Sequence, residues 1–360
     1  MPDQQTTPTS VSSAIDAPRD ILIKSYQSPG DIVMMMYAIK AIATQHPGKF
    51  RIGVATSGDP MFEGCTWIDR EITEETPGVQ VVTGTYNTIH KSNEYPYHFV
   101  TGYVIDIAEQ LGIKLTPPQW HGVIQIRDEE KAWFSAPREI TGGDYPYWVI
   151  DAGHKSDFTA KAWDFRRYQA VVDSCPDILF VQIGLIHEDH NHPNLVGANL
   201  IDLRGKTDQR KLVRLVYNSF GVLTPVSYPM VLSFAVPAHP RFGRKSRGCV
   251  VVAGGREPNH WQQPPNAQFL HTCGQLDCCD MGGCWKSRVV PLGGSYADEK
   301  DNSLCSKPVK LETGQDVATC MQMITVDEVV GAIRKYQDNL AYEHKWGSTP
   351  PRQVRVPEAV

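Results

Sequence analysis

The chain repeats one unit: a short apolar run, a turn rich in Gly, Pro or Ser, then a stretch with helical spacing. Ile21-Leu22-Ile23 is the first such run and reads as a buried parallel strand. Ser28-Pro29-Gly30-Asp31 then opens a helix, with Ser28 suited to the cap and Pro29 to the first helical position. That helix is expected to continue to about residue 43. Residues 51–55 and 79–82 read as further strands, and residues 97–111 as a helix stopped by Gly112. Strands alternating with helices at this spacing demand a doubly wound, mostly parallel α/β sheet.

The rhythm restarts after a turn-rich link, Thr141-Gly142-Gly143-Asp144-Tyr145-Pro146. Strands are expected over 147–150, 178–183 and 250–253, and helices over 163–174 and 208–219. Thr325-Val326-Asp327-Glu328 is a capping box opening a last helix. Two Rossmann-like halves follow from this. Residues 1–18 are expected to be disordered, 19–142 to form the first half and 143–325 the second, with a cysteine-rich segment over 273–320. Residues 326–344 form the last helix and 345–360 an irregular tail.

Composition excludes several functions. Lys and Arg total 35 against 40 Asp and Glu, a net charge of 35 − 40 = −5 without basic runs, which argues against nucleic acid as the partner. No apolar stretch reaches the ~20 residues of a membrane span. The Gln/Thr/Ser-rich start has neither a basic region nor an apolar core, so it is not a signal peptide, and a cytoplasmic address is expected.

Nine cysteines remain to be explained, five of them between Cys273 and Cys305. In a reducing compartment such a cluster reads as a metal site sooner than as disulfides. Cys279-Asp280-Met281-Gly282-Gly283-Cys284 places a flexible glycine pair between two thiols, so that both sulfurs can face one ion. Cys305 and Cys320 could complete a set of four thiolates, with Cys278 and Cys273 as alternative ligands or bystanders. A site with four protein ligands is structural, because it leaves no open position for chemistry. The competing reading is a set of reduced cysteines in a loop-rich segment. Cys65, Cys175 and Cys249 read as ordinary buried thiols.

Ligands of open α/β sheets bind beyond the carboxyl ends of the strands, and three loops qualify. In the first, Asp31 is either a general base or a partner of the Ser28 cap and the positive helix end. The second runs from Asp151 through His154 and Lys155 to Lys161-Ala162-Trp163, and its lysines suit an anion. The third is Ala253-Gly254-Gly255-Arg256-Glu257, where the glycine pair would let a ligand approach and Arg256 could hold a phosphate. The run from His187 to His192 matches no helical ligand spacing and reads as an exposed polar loop. Lys206-Thr207 precedes a helix as a cap with a nearby cation. A strict GxGxxG is absent, which weakens a dinucleotide dehydrogenase.

Taken together, these positions resemble glycosyltransferase family 9, the ADP-heptose:lipopolysaccharide heptosyltransferases, over most of residues 20–340. Ile21-Leu22-Ile23-Lys24 with Ser28-Pro29-Gly30-Asp31-Ile32-Val33 is similar to the family's opening strand, Gly-Asp and helix. The resemblance implies a GT-B-like fold with a cleft between the halves, and Asp31 as catalytic base. Lys161-Ala162-Trp163 is similar to a Lys-x-Trp segment whose lysine contacts the donor diphosphate. Residues 202–208, with Lys206, resemble the family's Leu-x-Gly-Lys-Thr segment. One stretch departs: where the family has Asp-Ser/Thr-Gly-x-x-His, this chain has residues 221–231 without the acid or the histidine. Thr224 and Ser227 are left as hydroxyl donors to a diphosphate. The cysteine segment looks like the branch of bacterial autotransporter heptosyltransferases, whose cysteine finger holds iron; zinc suits four thiolates equally well.

The resemblance implies inverting transfer of a sugar, heptose in that family, from an ADP-sugar to a glycan or protein hydroxyl. Lys161, Thr224, Ser227 and backbone N–H groups near Gly254 and Gly255 would stabilise the departing diphosphate, with no metal needed there. Closure of the halves would exclude water, and an oligomer is compatible with all of this. The rivals are another Rossmann-type sugar-nucleotide enzyme and a non-catalytic, metal-stapled nucleotide-sugar-binding protein.

Overall fold

The computed structural model describes residues 17–85, 97–120, 122–132, 136–155, 159–280, 282–284 and 305–343. The expected irregular tail and all but the last two residues of the expected disordered start lie outside them.

The first half is built on β1 (Arg19–Ser25), β2 (Phe50–Thr56) and β3 (Gln80–Thr83), parallel and in the order β2-β1-β3. Its helices are α1 (Pro29–Gln45) and α2 (Phe99–Leu111). Gly112, at φ 63, closes α2, where a left-handed residue lets the last turn end. Two short helices, α3 (Asp128–Ala132) and α4 (Ala136–Thr141), lead into the second half.

The second half holds a parallel sheet of β4 (Tyr147–Asp151), β6 (Leu179–Ile183), β8 (Leu200–Asp202), β9 (Gly221–Pro225), β10 (Gly248–Gly254) and β11 (Ala267–His271). The two residues of β5 (His154–Lys155) pair antiparallel with β7 (His190–Asn191) outside it. Read from β8, the strands of the large sheet, counted in chain order, stand as 3-2-1-4-5-6. That is the Rossmann order, whose direction reverses between β4 and β9. Every residue of β4, β6, β9 and β10 is buried, as expected of parallel strands covered on both faces.

Helices α5 (Phe165–Ser174), α6 (Gln209–Asn218), α7 (Tyr228–Ala235) and the short α8 (Asn259–Gln262) connect these strands. Asp164 caps α5 by accepting from Arg166 N at 3.0 Å, and Asp208 caps α6 by accepting from Lys211 N at 2.7 Å. After Cys305 come β12 (Pro308–Lys310), β13 (Asp316–Ala318), α9 (Thr319–Gln322) and α10 (Val326–Glu343). The capping box forms: Glu328 accepts from Thr325 N at 2.7 Å, and Thr325 Oγ1 accepts from Glu328 N at 3.2 Å.

Residues 221–231 form β9, in the middle of the sheet, and the start of α7. One expectation is corrected. Ser28 sits at the N-cap of α1, but its side chain makes no capping bond.

The halves share one core. Ile21, Ile23 and Met35 of the first belong to the same cluster as Val222, Met230 and Val251 of the second. Helix α1 lies on α7 so closely that a methyl at Gly30 would stand 3.5 Å from Val231 Cγ2. Backbone bonds stitch the seam, from Gly122 N to Phe234 O at 3.1 Å and from Ile124 N to Ala235 O at 3.0 Å. Arg210 grips Glu130 with two bonds of 2.5 Å in the same seam. Burial alone would raise the Glu130 carboxyl, but the Arg210 bonds prevail and hold it at about 2.

Candidate active site

The Rossmann order fixes where to look, in the crevice beyond the carboxyl ends of β4 and β9. Strand β4 ends at Asp151, which is only 5% exposed. Strand β9 ends at Pro225, and Ser227 opens α7 two residues later. Ser227 Oγ donates to Asp151 Oδ2 at 2.9 Å, so the two ends are tied across the reversal point. Thr224 Oγ1 lies 2.8 Å from Ser227 Oγ and donates to Pro225 O at 3.0 Å. On the other side, His192 Nδ1 stands 3.3 Å from Asp151 Oδ1.

The first half brings its own strand end to this crevice. Strand β1 stops at Ser25, and Asp31 lies in the first turn of α1. Because α1 rests on α7, the amino ends of both helices meet there. Two such ends favour negative charge between them.

Lys161 ends a short helical turn, Thr159–Lys161, held from behind by Trp163, whose Nε1 donates to Ile324 O at 3.2 Å. Lys161 Nζ is 2.6 Å from Glu257 Oε1 and donates to Val226 O at 3.3 Å. Burial pushes the ammonium below its ordinary range, while the carboxylates of Glu257 and, more weakly, Asp31 pull it back up. Asp31 is therefore within electrostatic reach of Lys161. Arg256 is buried beside them, with Nη1 2.5 Å from Glu257 Oε1.

Of the predicted residues, the structure thus brings Asp31, Lys161, Ser227 and Arg256 into one neighbourhood, with Arg256 joined to Lys161 through Glu257 and lining the cysteine cavity on its other side. Thr224 adjoins it, but its hydroxyl is completely buried and spent on Pro225 O and Ser227. Lys206 is exposed, in the turn after the edge strand β8, beside Asp202, whose carboxyl it helps to lower.

Gly254 and Gly255 have a different neighbour from the one expected: the cysteine segment packs on them. Gly254 has φ 65, and a methyl there would come within 2.4 Å of Met321 Sδ. One on Gly255 would meet Cys279 Sγ at 3.1 Å. Their carbonyls are occupied too, since Thr272 N donates to Gly254 O at 2.9 Å and Cys284 N to Gly255 O at 3.1 Å.

Cys278, Cys279, Cys284, Cys305 and Cys320 line a single small cavity together with Gly255 and Arg256. Burial and the neighbouring thiols push Cys273 up to about 12. Five soft donors around one space suit iron or zinc chemically. Among the described residues, however, no group of three or more His, Cys, Asp or Glu side chains stands close enough to hold an ion. Cys65, Cys175 and Cys249 are buried away from that cavity.

Sequence reasoning quoted Asp151 and Glu257 within loops but gave them no role. Their signal was position, since each ends or closely follows a predicted strand.

No family model matches the chain, and no curated protein does. Solved structures do. One is a family 9 glycosyltransferase from Veillonella parvula DSM 2008, at 14% identity and TM-score 0.58, covering 89% of this chain and 98% of that one. Another is TibC, an iron-containing dodecameric glycosyltransferase from enterotoxigenic E. coli H10407, at 16% identity and TM-score 0.60, covering 90% and 77%. The E. coli ADP-heptose lps heptosyltransferase II gives 15% identity and TM-score 0.55, covering 90% and 99%.

The chain has the fold of the family 9 glycosyltransferases. The parallel α/β architecture expected of a GT-B-like protein fits this result. No helix among the described residues is long and apolar enough to cross a membrane.

Proposed function

We propose that this chain is an inverting glycosyltransferase that moves a sugar from a nucleoside-diphosphate sugar to a hydroxyl acceptor. The observation that carries the reading is the convergence of Asp31 and Lys161 where the amino ends of α1 and α7 meet. The first turn of α1, which carries Asp31, packs against the amino end of α7, and Lys161 reaches Val226 O just before that end, at the reversal point of a Rossmann sheet.

Asp31 takes the acceptor hydroxyl proton as that oxygen bonds to the anomeric carbon. The bond from that carbon to the diphosphate oxygen breaks, and its electron pair leaves with the diphosphate. A base so placed contributes ~10²–10⁴-fold. Lys161, Arg256 and the amino end of α7 offset the charge that develops on the leaving group. Leu185 and Ile186, exposed just past β6, offer an apolar face for the base of the nucleotide.

ADP-heptose is the donor favoured by resemblance, and TibC has been solved in complex with ADP-D-beta-D-heptose. Cys279, Cys284, Cys305 and Cys320, with Cys278 as the alternative, would hold a structural iron or zinc. The ion would cross-link the segment behind Gly254-Gly255 and take no part in transfer.

The test is release of nucleoside diphosphate by purified protein from ADP-heptose and a panel of ADP- and UDP-sugars. At least one donor should be turned over. Neither turnover nor binding of any donor would contradict the proposal.

A further inference from the structure

Glu257 is a carboxylate only 1% exposed, and three side chains converge on it. Oε1 is shared by Lys161 Nζ at 2.6 Å and Arg256 Nη1 at 2.5 Å, and Oε2 accepts from Gln262 Nε2 at 2.6 Å. A buried carboxylate without such partners would be strongly unfavourable. The same holds in reverse: Lys161 and Arg256 are like charges held side by side, and the carboxylate between them offsets their repulsion.

Geometry adds direction. An ammonium has three donors. Glu257 Oε1 and Val226 O hold the Lys161 ammonium from two sides, which fixes its position. The backbone carrying Glu257 is pinned as well, because Cys273 Sγ donates to Glu257 O at 3.3 Å and Cys284 N holds Gly255 O. The carboxylate is therefore a fixed fulcrum.

We infer that Glu257 is a positioning residue that holds Lys161 and Arg256 as one preformed cation pair for the diphosphate of the donor. This rests on the nucleotide-sugar reading above. Glu257 itself touches no substrate and acts through Lys161.

The experiment is calorimetric titration of the full-length protein with ADP, for wild type, Glu257→Gln, Glu257→Asp, Lys161→Met and the Glu257→Gln/Lys161→Met pair. Glu257→Gln should weaken ADP binding about tenfold or more, as loss of a partner from a buried charged pair does. Glu257→Asp keeps the charge and should recover most of that loss. In the pair, the Glu257 change should cost less than about twofold beyond Lys161→Met, because one effect runs through the other. If Glu257→Gln binds ADP like wild type, or the two losses simply add, the positioning role is overturned while the glycosyltransferase reading stands. If Glu257→Gln does not fold, the cycle is run with Glu257→Ala, which also removes the carboxylate and whose unchanged affinity would overturn the role equally. Wild type that binds neither ADP, UDP nor inorganic pyrophosphate overturns the functional reading and this inference with it.

Discussion

Ser227 and Asp151 are hydrogen-bonded at 2.9 Å across the point where the large sheet reverses direction. The two residues are 76 apart in the chain, at and just past the ends of adjacent strands, and their bond holds the amino end of α7 beside β4. Removing the acceptor leaves the Ser227 hydroxyl without it in a half-buried site. Asp151→Ala should therefore lower stability by about 1–3 kcal/mol in urea unfolding, whereas Asp151→Asn, which can still accept, should cost less.

The Glu130–Arg210 pair makes a pH-dependent prediction. The Glu130 carboxyl is held at about 2, below its ordinary value of 4.5. A depressed carboxyl stabilises the fold above its unfolded value and loses that contribution as pH falls towards the folded one. Glu130→Gln should thus cost about 3 kcal/mol near neutral pH. The gap between variant and wild type should shrink steadily below about pH 4.5 in thermal melts. A gap that stays constant down to acid pH would show that the pair does not clamp the seam.

Gly254 is a position for glycine alone. Its left-handed backbone and the proximity of Met321 predict that Gly254→Ala costs about 1–3 kcal/mol. The loss should appear with a weaker affinity for ADP, because the same turn carries Arg256 and Glu257.

Protein purified without added metal should carry about one iron or zinc ion per chain if four cysteines ligate it. Cys279→Ser and Cys320→Ser should each release that ion. A metal content near zero in the wild type would return these residues to reduced thiols that pack behind Gly255.

Much of this fold was legible because its inner strands are short, wholly apolar and bounded by turns. Ile21-Leu22-Ile23, the 147–150 run and the 250–253 run each appear within a few residues of the expected place. Strand β9 was hidden by Pro225, since proline argues against a central strand. Here it occupies the last position, where the ladder is ending anyway. Strand β11 was hidden for another reason: as an edge strand it is only partly buried and shows no clean apolar run.

The site was legible in part. Asp31, Lys161 and Arg256 stand in or beside the turns after strands that sequence alone marks. The Ser227–Asp151 and Lys161–Glu257 contacts were not visible, because partners so far apart in the chain are chosen by sheet order and not by local pattern. The glycine pair was seen, but the partner that needs its close approach is a cysteine thiol.

The central claim is that Asp31 is the base of a sugar transfer. The most direct measurement is the turnover of Asp31→Ala and Asp31→Asn, with the donor that wild type uses, alongside their affinity for ADP. The account predicts that turnover falls by about 10²-fold or more in both, while ADP binds within a few-fold of wild type. Turnover that survives in Asp31→Ala at the wild-type rate would contradict it.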